Sequence, residues 1–369
     1  MKTLMFLLAG LAIAAVGSDI AYAQGGTSAV PFLLISPNSR ASGMGEAGAG
    51  LADDAGSVYW NPAGLAFLKG SEVSITHANW LPQFHLADLF YDYLNFRQDV
   101  PEWGGTVAAS VTYLNLGEFT ITNESGPTGI GTFKAFEVAG TLGYGTTITD
   151  NWGIGVNLRF INSALSPIGA GSEQGNGIAY DMSFDIATLY KVKDLTIPFT
   201  DIDLGDCLNI GANLSNLGPK VTYIDAAQAD PLPTTLRLGF GIIPIKDEFN
   251  SFEIAIDFSR LLVQRNGVSS DPLPKSLITS WTQPGFNGVL RSTQTSAGFE
   301  YWYNKLIALR MGYFYEDPDY GNRKFMTFGA GIRYDIYGFD FSYDSASDVD
   351  SPLSDTLRFT LLIIWGGAN

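Results

Sequence analysis

The chain has 369 residues, with 21 Lys and Arg against 37 Asp and Glu, a formal charge of −16; 46% of residues are hydrophobic and 16% charged. That balance excludes a basic nucleic-acid groove and argues against a disordered chain. The mean hydropathy of +0.11, with one long apolar run, excludes a bundle of membrane helices, each of which needs about 20 apolar residues.

In chain order, residues 1–23 read as a secretory signal. Lys2 supplies the charged start, residues 4–16 the apolar core, and Ala21-Tyr22-Ala23 a cleavage pattern that places the cut before Gln24. No cysteine follows, so this is not a lipoprotein signal. An exported chain without a second apolar helix can enter a membrane only as a closed barrel, because every backbone polar group in lipid needs a partner.

Residues 24–70 do not alternate and are rich in Gly, Ala and Asp. Phe32, Leu33, Leu34, Val58, Tyr59, Trp60, Leu65 and Phe67 are too many apolar groups for a solvated tail. The expectation is a segment folded in the lumen, or across its periplasmic mouth, as a plug ahead of a barrel over 71–369. Within it, Gly43-Met44-Gly45-Glu46-Ala47-Gly48 matches G-x-G-x-x-G in form. A dinucleotide site also needs a buried strand before the glycines and a helix after them. Ser36-Pro37-Asn38 precedes them instead, so tight backbone packing is the better reading.

From about residue 72 apolar and polar residues alternate. In 151–163 Trp152, Ile154, Val156, Leu158 and Phe160 share one face, while Gly153, Gly155, Asn157 and Arg159 share the other. The same pattern yields about fourteen strands: 72–80, 84–97, 104–115, 133–148, 151–164, 177–192, 206–217, 233–245, 250–260, 292–303, 305–316, 324–336, 337–344 and 355–365. These lengths and an even count suit a transmembrane antiparallel barrel. Turns near 149–151, 246–250, 303–305 and 336–338 are short and fall on one side. Connections 116–132, 165–176, 218–232, 261–291, 317–323 and 345–354 fall on the other, as in barrels with short periplasmic turns and longer outer loops. Two connections disobey: 193–205 is long on the short side, and 81–83 is short on the long side. Trp80, Trp103, Trp152, Trp302 and Trp365 fall at strand ends, where an aromatic girdle belongs. A β-sandwich would keep such tryptophans in its core.

Little else carries chemistry. Cys207 is the only cysteine and reads as a space-filling residue. His77 and His85 are the only histidines, with no ligand-like spacing, so no metal is expected. There is no G-x-S-x-G elbow, and neither catalytic residues nor a cofactor is expected. The acidic stretches 317–322 and 344–350 read as solvated turns rather than Ca²⁺ loops, since no Glu stands at the required spacing. The loop 261–291 is the candidate partner surface: Leu273, Leu277, Ile278, Trp281 and Phe286 are apolar residues outside a barrel.

The run 29–37 (AVPFLLISP), Arg40, the glycine motif at 43–48 and Tyr59-Trp60-Asn61-Pro62-Ala63-Gly64-Leu65 together resemble the PorV family of type IX secretion barrels. The W-N-P-A element is also similar to the broader group of FadL-like barrels. Pro31, Phe32, Arg40, Gly43, Met44, Gly45, Glu46, Trp60, Asn61 and Pro62 carry the resemblance as a structural plug motif. Asn38 and Ser39 depart from it, standing where an acidic residue and Ala are expected. The resemblance implies a fourteen-stranded outer-membrane barrel with an N-terminal plug and no enzymatic activity. It implies a protein that binds secreted cargo by a C-terminal sorting domain at a translocon of SprA type. It then delivers that cargo to a surface attachment complex with a PorU-like sortase. The strand pattern itself leaves open a FadL-like channel for a hydrophobic small molecule.

Overall fold

The computed structural model describes residues 28–84, 89–123, 126–167, 175–196, 205–267, 269–346 and 353–367. The expected signal at 1–23 and His85 lie outside them. Fourteen strands close into an antiparallel barrel: β1 (Ser71–Asn79), β2 (Phe90–Val100), β3 (Gly105–Asn123), β4 (Gly126–Thr149), β5 (Trp152–Ser166), β6 (Gly177–Val192), β7 (Leu208–Leu217), β8 (Thr235–Lys246), β9 (Asn250–Leu261), β10 (Thr293–Tyr303), β11 (Ile307–Tyr315), β12 (Lys324–Tyr334), β13 (Tyr337–Ala346) and β14 (Thr356–Trp365). Each strand pairs with its neighbours in sequence. The seam is closed by β1 against β14, with Ser71 opposite Trp365 and Ala78 opposite Arg358. Closure leaves no sheet edge, which is the condition for a sheet in lipid.

Side-chain polarity is inverted relative to a soluble protein. On β5 Trp152, Ile154, Val156, Leu158 and Phe160 are exposed, while Asn157 and Arg159 are buried. The other strands repeat this, with Leu142, Phe184, Phe258, Leu309 and Leu361 outside and Thr141, Asp185, Asp257, Arg310 and Thr360 inside. An apolar belt around a polar lumen is the architecture of an outer-membrane barrel. No helix among the described residues is long and apolar enough to cross a membrane.

Several expectations need correction. The stretch 116–132 is not an outer loop: β3 and β4 continue through it as a long hairpin, with Phe119 stacked on Phe133 at 5.6 Å. The register shifts at Gly117, whose φ of +90° fits a bulge that only glycine adopts freely. The bulge breaks the alternation that the sequence reading followed. The strand expected from residue 84 is described only from Phe90, and residues 85–88 lie outside the described residues. Most of the connection expected at 193–205, residues 197–204, lies outside the described residues. Of the five girdle tryptophans, Trp103, Trp152 and Trp365 are exposed on the outside. Trp80 instead packs on Tyr91 and borders a lumenal cavity, and Trp302 lies beneath Arg310 and Arg333. Both sit at strand ends but on the inward parity, and position along a strand does not reveal the face.

The connection after β9 is folded. Helices α1 (Leu273–Thr282) and α2 (Gly285–Arg291) occupy most of 261–291. Pro274 falls in the first turn of α1, where no intrahelical N–H is needed. Pro284 and Gly285, with φ +66°, separate the two helices.

Candidate functional site: the filled lumen and its outer mouth

Residues 28–70 enter the barrel and fill much of its lumen. They form a 3₁₀ turn at Pro31–Leu34, short helical turns at Ser39–Ser42 and Ser57–Trp60, and a 3₁₀ stretch at Pro62–Phe67. Most of this segment is buried. It is held in three ways.

Backbone approach comes first. Inward positions of the wall carry glycine where the segment passes. A Cβ on Gly312 would lie 2.1 Å from the Gly45 nitrogen, and one on Gly155 would lie 2.2 Å from the Pro62 carbonyl carbon. Gly298 meets Met44, while Gly239 and Gly241 meet Ala49 and Gly50. Gly45 itself has φ +68°. Glycine on both sides lets two backbones touch without side chains between them.

Hydrogen bonds come second. The Asp257 carboxylate accepts from the backbone N–H of Gly48 and Ala49, each at 3.0 Å. Asn61 accepts from the Ala63 N–H at 3.1 Å, capping the 3₁₀ stretch, and donates to the carbonyls of Ala49 (2.9 Å) and Thr188 (3.1 Å). The Trp60 indole donates to Asn38 Oδ1 at 3.0 Å. Asn157 and Asn213 donate from the wall to the carbonyls of Val58 and Trp60. Asn38, where an acidic residue was expected, is therefore the indole's acceptor.

The third is a buried ionic network. Arg40 lies 2.7 Å from Glu300, 3.1 Å from Asp54 and 3.3 Å from Glu253, and also pairs with Asp53. Glu300 is shared with Arg310, which reaches Asp340 at 2.8 Å, and Arg333 meets Asp340 at 2.7 Å. Glu300, Arg310 and Asp340 come from β10, β11 and β13, with β12 between the last two, at inward positions. Charges buried this deeply persist only when paired. Their inward parity was the only signal of the network that the sequence offered.

The expected motif residues therefore do not form one cluster. Phe32 joins Leu33, Val58, Tyr91 and Tyr93 in an apolar core inside the lumen. Arg40 anchors the ionic network, Gly43 packs on Gly329, Met44 and Gly45 pack on the glycine wall, and Trp60 to Pro62 are held by β5 to β7. Glu46, with φ +64°, borders two cavities.

Those cavities lie toward the rim of the long connections. One, of about 710 Å³, is mostly apolar, with Val30, Phe32, Ile35, Trp80 and Leu116 in its lining. The other, of about 540 Å³, lies among Arg237, Arg260, Arg265 and Arg323. Above it sits the α1–α2 hairpin. Its anchoring is polar: Ser276 and Ser280 are buried, Arg260 donates to the Ser280 carbonyl, and Arg291 pairs with Asp317 and Asp319. Of the candidate partner residues, Ile278, Trp281 and Phe286 are exposed, and Leu273 and Leu277 are half-buried. Asp271 accepts from Lys275 and Thr279, and these bonds hold its carboxyl below the usual range. The acidic stretch from Asp317 thus serves ion pairing with Arg291. His77 pairs with Asp92 across β1 and β2 at 2.7 Å. Among the described residues no group of three or more His, Cys, Asp or Glu could hold a metal.

A closed fourteen-stranded barrel with an apolar belt, a polar wall and an N-terminal segment inside it defines a transmembrane barrel of the outer-membrane class. Solved structures agree on the fold. The P. putida toluene transporter TodX is 12% identical, covering 90% of this chain and 99% of its own, with a TM-score of 0.51. The CymD monoaromatic hydrocarbon channel is 13% identical, covering 91% and 99%, also with a TM-score of 0.51. No curated protein matches the sequence. The family model for the type IX secretion system protein PorV matches residues 9–267, and the chain belongs to the PorV family.

Proposed function

We propose that the protein receives secreted cargo by its C-terminal sorting domain as the cargo leaves a translocon of SprA type. It then hands the cargo to a surface attachment complex with a PorU-like sortase. The observation that carries this reading is the PorV-family match over 259 of 369 residues. The glycine-to-backbone contacts and the Arg40 network support the companion reading that 24–70 is a stable plug. Export by a signal cleaved before Gln24 fits the same picture. The exposed Ile278, Trp281 and Phe286 make the α1–α2 hairpin the candidate contact for cargo or translocon. No catalytic step is assigned to any residue.

Loss of the protein should leave cargo bearing the sorting domain inside the cell. Deleting 266–288 should give a folded barrel that no longer crosslinks to cargo; unchanged crosslinking would remove the hairpin from this role.

A second reading, an uptake channel for a hydrophobic small molecule, draws on the apolar cavity of about 710 Å³ and on the shared fold with two barrels described as a toluene transporter and a monoaromatic hydrocarbon channel. It predicts normal secretion and impaired uptake in the same deletion strain.

A further inference from the structure

The β3–β4 hairpin goes on where its neighbours stop. β2 pairs with β3 only as far as Phe90 opposite Asn115, and β5 pairs with β4 only as far as Ala164 opposite Phe136. The rings of Phe90, Tyr113 and Phe136 follow one another at 5.9 Å on the outward parity and mark the outer girdle. Beyond them β3 and β4 continue as a two-stranded ribbon, from Gly117 opposite Ala135 to Asn123 opposite Gly126. At 3.3 Å per residue the ribbon runs on for about 20 Å. Among the described residues no strand pairs with either of its edges.

A lone pair of strands in water is marginal, and a third strand is the usual remedy. Exposed edges are normally blunted by charge, proline or a bulge. Here 117–122 and 129–135 contain no proline, and their charges are Glu118 and Lys134, which stand opposite each other at the base. Between base and tip the ribbon carries Thr120, Ile121, Thr122, Ile130 and Thr132, all good strand formers. Phe119 and Phe133 stack on one face, and Phe119 is 48% exposed. The two edges differ. The β3 edge begins at the Gly117 bulge, which bends it, whereas β4 passes the same level without interruption. The ladder shows which groups the β4 edge presents. The Lys191 N–H bonds the Asn151 carbonyl, so odd residues of β5 bond β6, and even residues of β5 bond even residues of β4. The backbone groups of Ile130, Thr132 and Lys134 therefore point to the place β5 would occupy if it were longer.

A row of alternating donors and acceptors is matched by the main chain of an extended polypeptide. A second copy of this chain is a poor source. Barrels in one membrane share one orientation, so two β4 edges would meet as parallel strands, the weaker arrangement. A β4 edge on a neighbour's β3 edge would be head-to-tail and need not close. A soluble protein arriving from outside can present its strand antiparallel. We propose that the β4 edge at 130–134 captures a strand of the secreted cargo, which adds to the ribbon as its third strand. Recognition through the main chain tolerates differences in cargo sequence, and the Phe119–Phe133 face takes the side chains that point that way. The identity of the strand donor rests on the secretion reading; the vacancy at the β4 edge does not.

The test titrates the full-length protein in lipid nanodiscs with a purified full-length cargo that carries the sorting domain. Thr132→Pro removes an edge N–H while leaving the β3 ladder intact. Thr132→Val changes only the side chain, and Thr120→Pro removes an N–H from the opposite edge. Thr132→Pro should weaken binding about tenfold or more, and the other two variants about twofold or less. Unchanged heat-modifiable migration of each variant would show an intact barrel. On the unmodified protein, cargo should slow amide hydrogen exchange at 130–134, which decides the matter if Thr132→Pro does not fold. A photoreactive amino acid at Ile130 in secreting cells should give an adduct with cargo. An adduct with a second copy or with a very large barrel instead would overturn the proposal. So would full binding by Thr132→Pro, equal weakening by Thr132→Val, or exchange at 130–134 that cargo leaves unchanged. If cargo binds the unmodified protein and one of these results is found, strand addition fails and the secretion reading stands. If cargo does not bind and deletion of the protein leaves secretion normal, both fail.

Discussion

Around Met44, Ala49 and Pro62 the N-terminal segment meets the barrel wall backbone to backbone, through glycines on β5, β7, β8, β10 and β11, and the nearby charges are shared among partners. Around Phe32, Leu34 and Glu46 the same segment borders open cavities. Above that region, a helical hairpin is anchored by serines and ion pairs and turns Ile278 and Phe286 outward. The first region has the traits of a fixed scaffold: close backbone packing and shared charges. The second has the traits of a binding surface, with unfilled volume and exposed apolar side chains. A channel needs the scaffold to yield, whereas a protein-binding barrel needs only its mouth.

Substitutions that separate the two regions should act very unequally. The largest effect is expected at Glu300, where Glu300→Gln leaves Arg40 and Arg310 sharing a neutral partner. Breaking a buried ionic network this way costs about 3–5 kcal/mol, read as a lower urea midpoint for unfolding from lipid vesicles. Gly312→Leu comes next. It forces the Gly45 backbone away from β11, at about 1–3 kcal/mol for overpacking, and should open residues 28–70 to protease while the barrel remains heat-modifiable. Unchanged protection would refute the scaffold role of the glycine wall. On the lipid side, Trp152→Ala removes a girdle ring and the 2.7 Å bond from its indole to Thr188. About 1 kcal/mol is expected there, with the lumen unaffected. The smallest effect concerns the hairpin. The Asp271 carboxyl is held low by bonds from Lys275 and Thr279, so its contribution is present above the ordinary carboxylate range and is lost as pH falls through the depressed value. Protease access to 269–282 should rise below about pH 4, and Asp271→Asn should abolish that pH dependence.

The barrel was legible because lipid imposes a strict rule. Each strand must show lipid an apolar face, so alternation fixes strand type and orientation, as Ile154 against Asn157 shows. Legibility failed where that rule does not apply. Trp80 and Trp302 occupy girdle depth but the inward face. Gly117 shifts the register and hides the continuation of β3 and β4. Pro272, Pro274 and Pro284 read as loop residues, yet they start and separate two helices. The lumen follows no periodicity either. The Arg40–Glu300–Arg310–Asp340 chain joins residues 40 and 340 through space, and no local pattern announces such pairing. The motif at 29–65 marked the segment that fills the lumen but not which wall residues receive each side chain.

The central claim is that the hairpin at the outer mouth meets protein while the strand faces meet lipid. A photoreactive amino acid placed at Phe286, and in a separate variant at Ile154, tests it in cells secreting a cargo with the sorting domain. Irradiation should give a protein adduct at Phe286 that contains the cargo or a very large barrel, and only lipid adducts at Ile154. A Phe286 variant that yields lipid adducts alone, while cargo continues to reach the surface, would contradict the account.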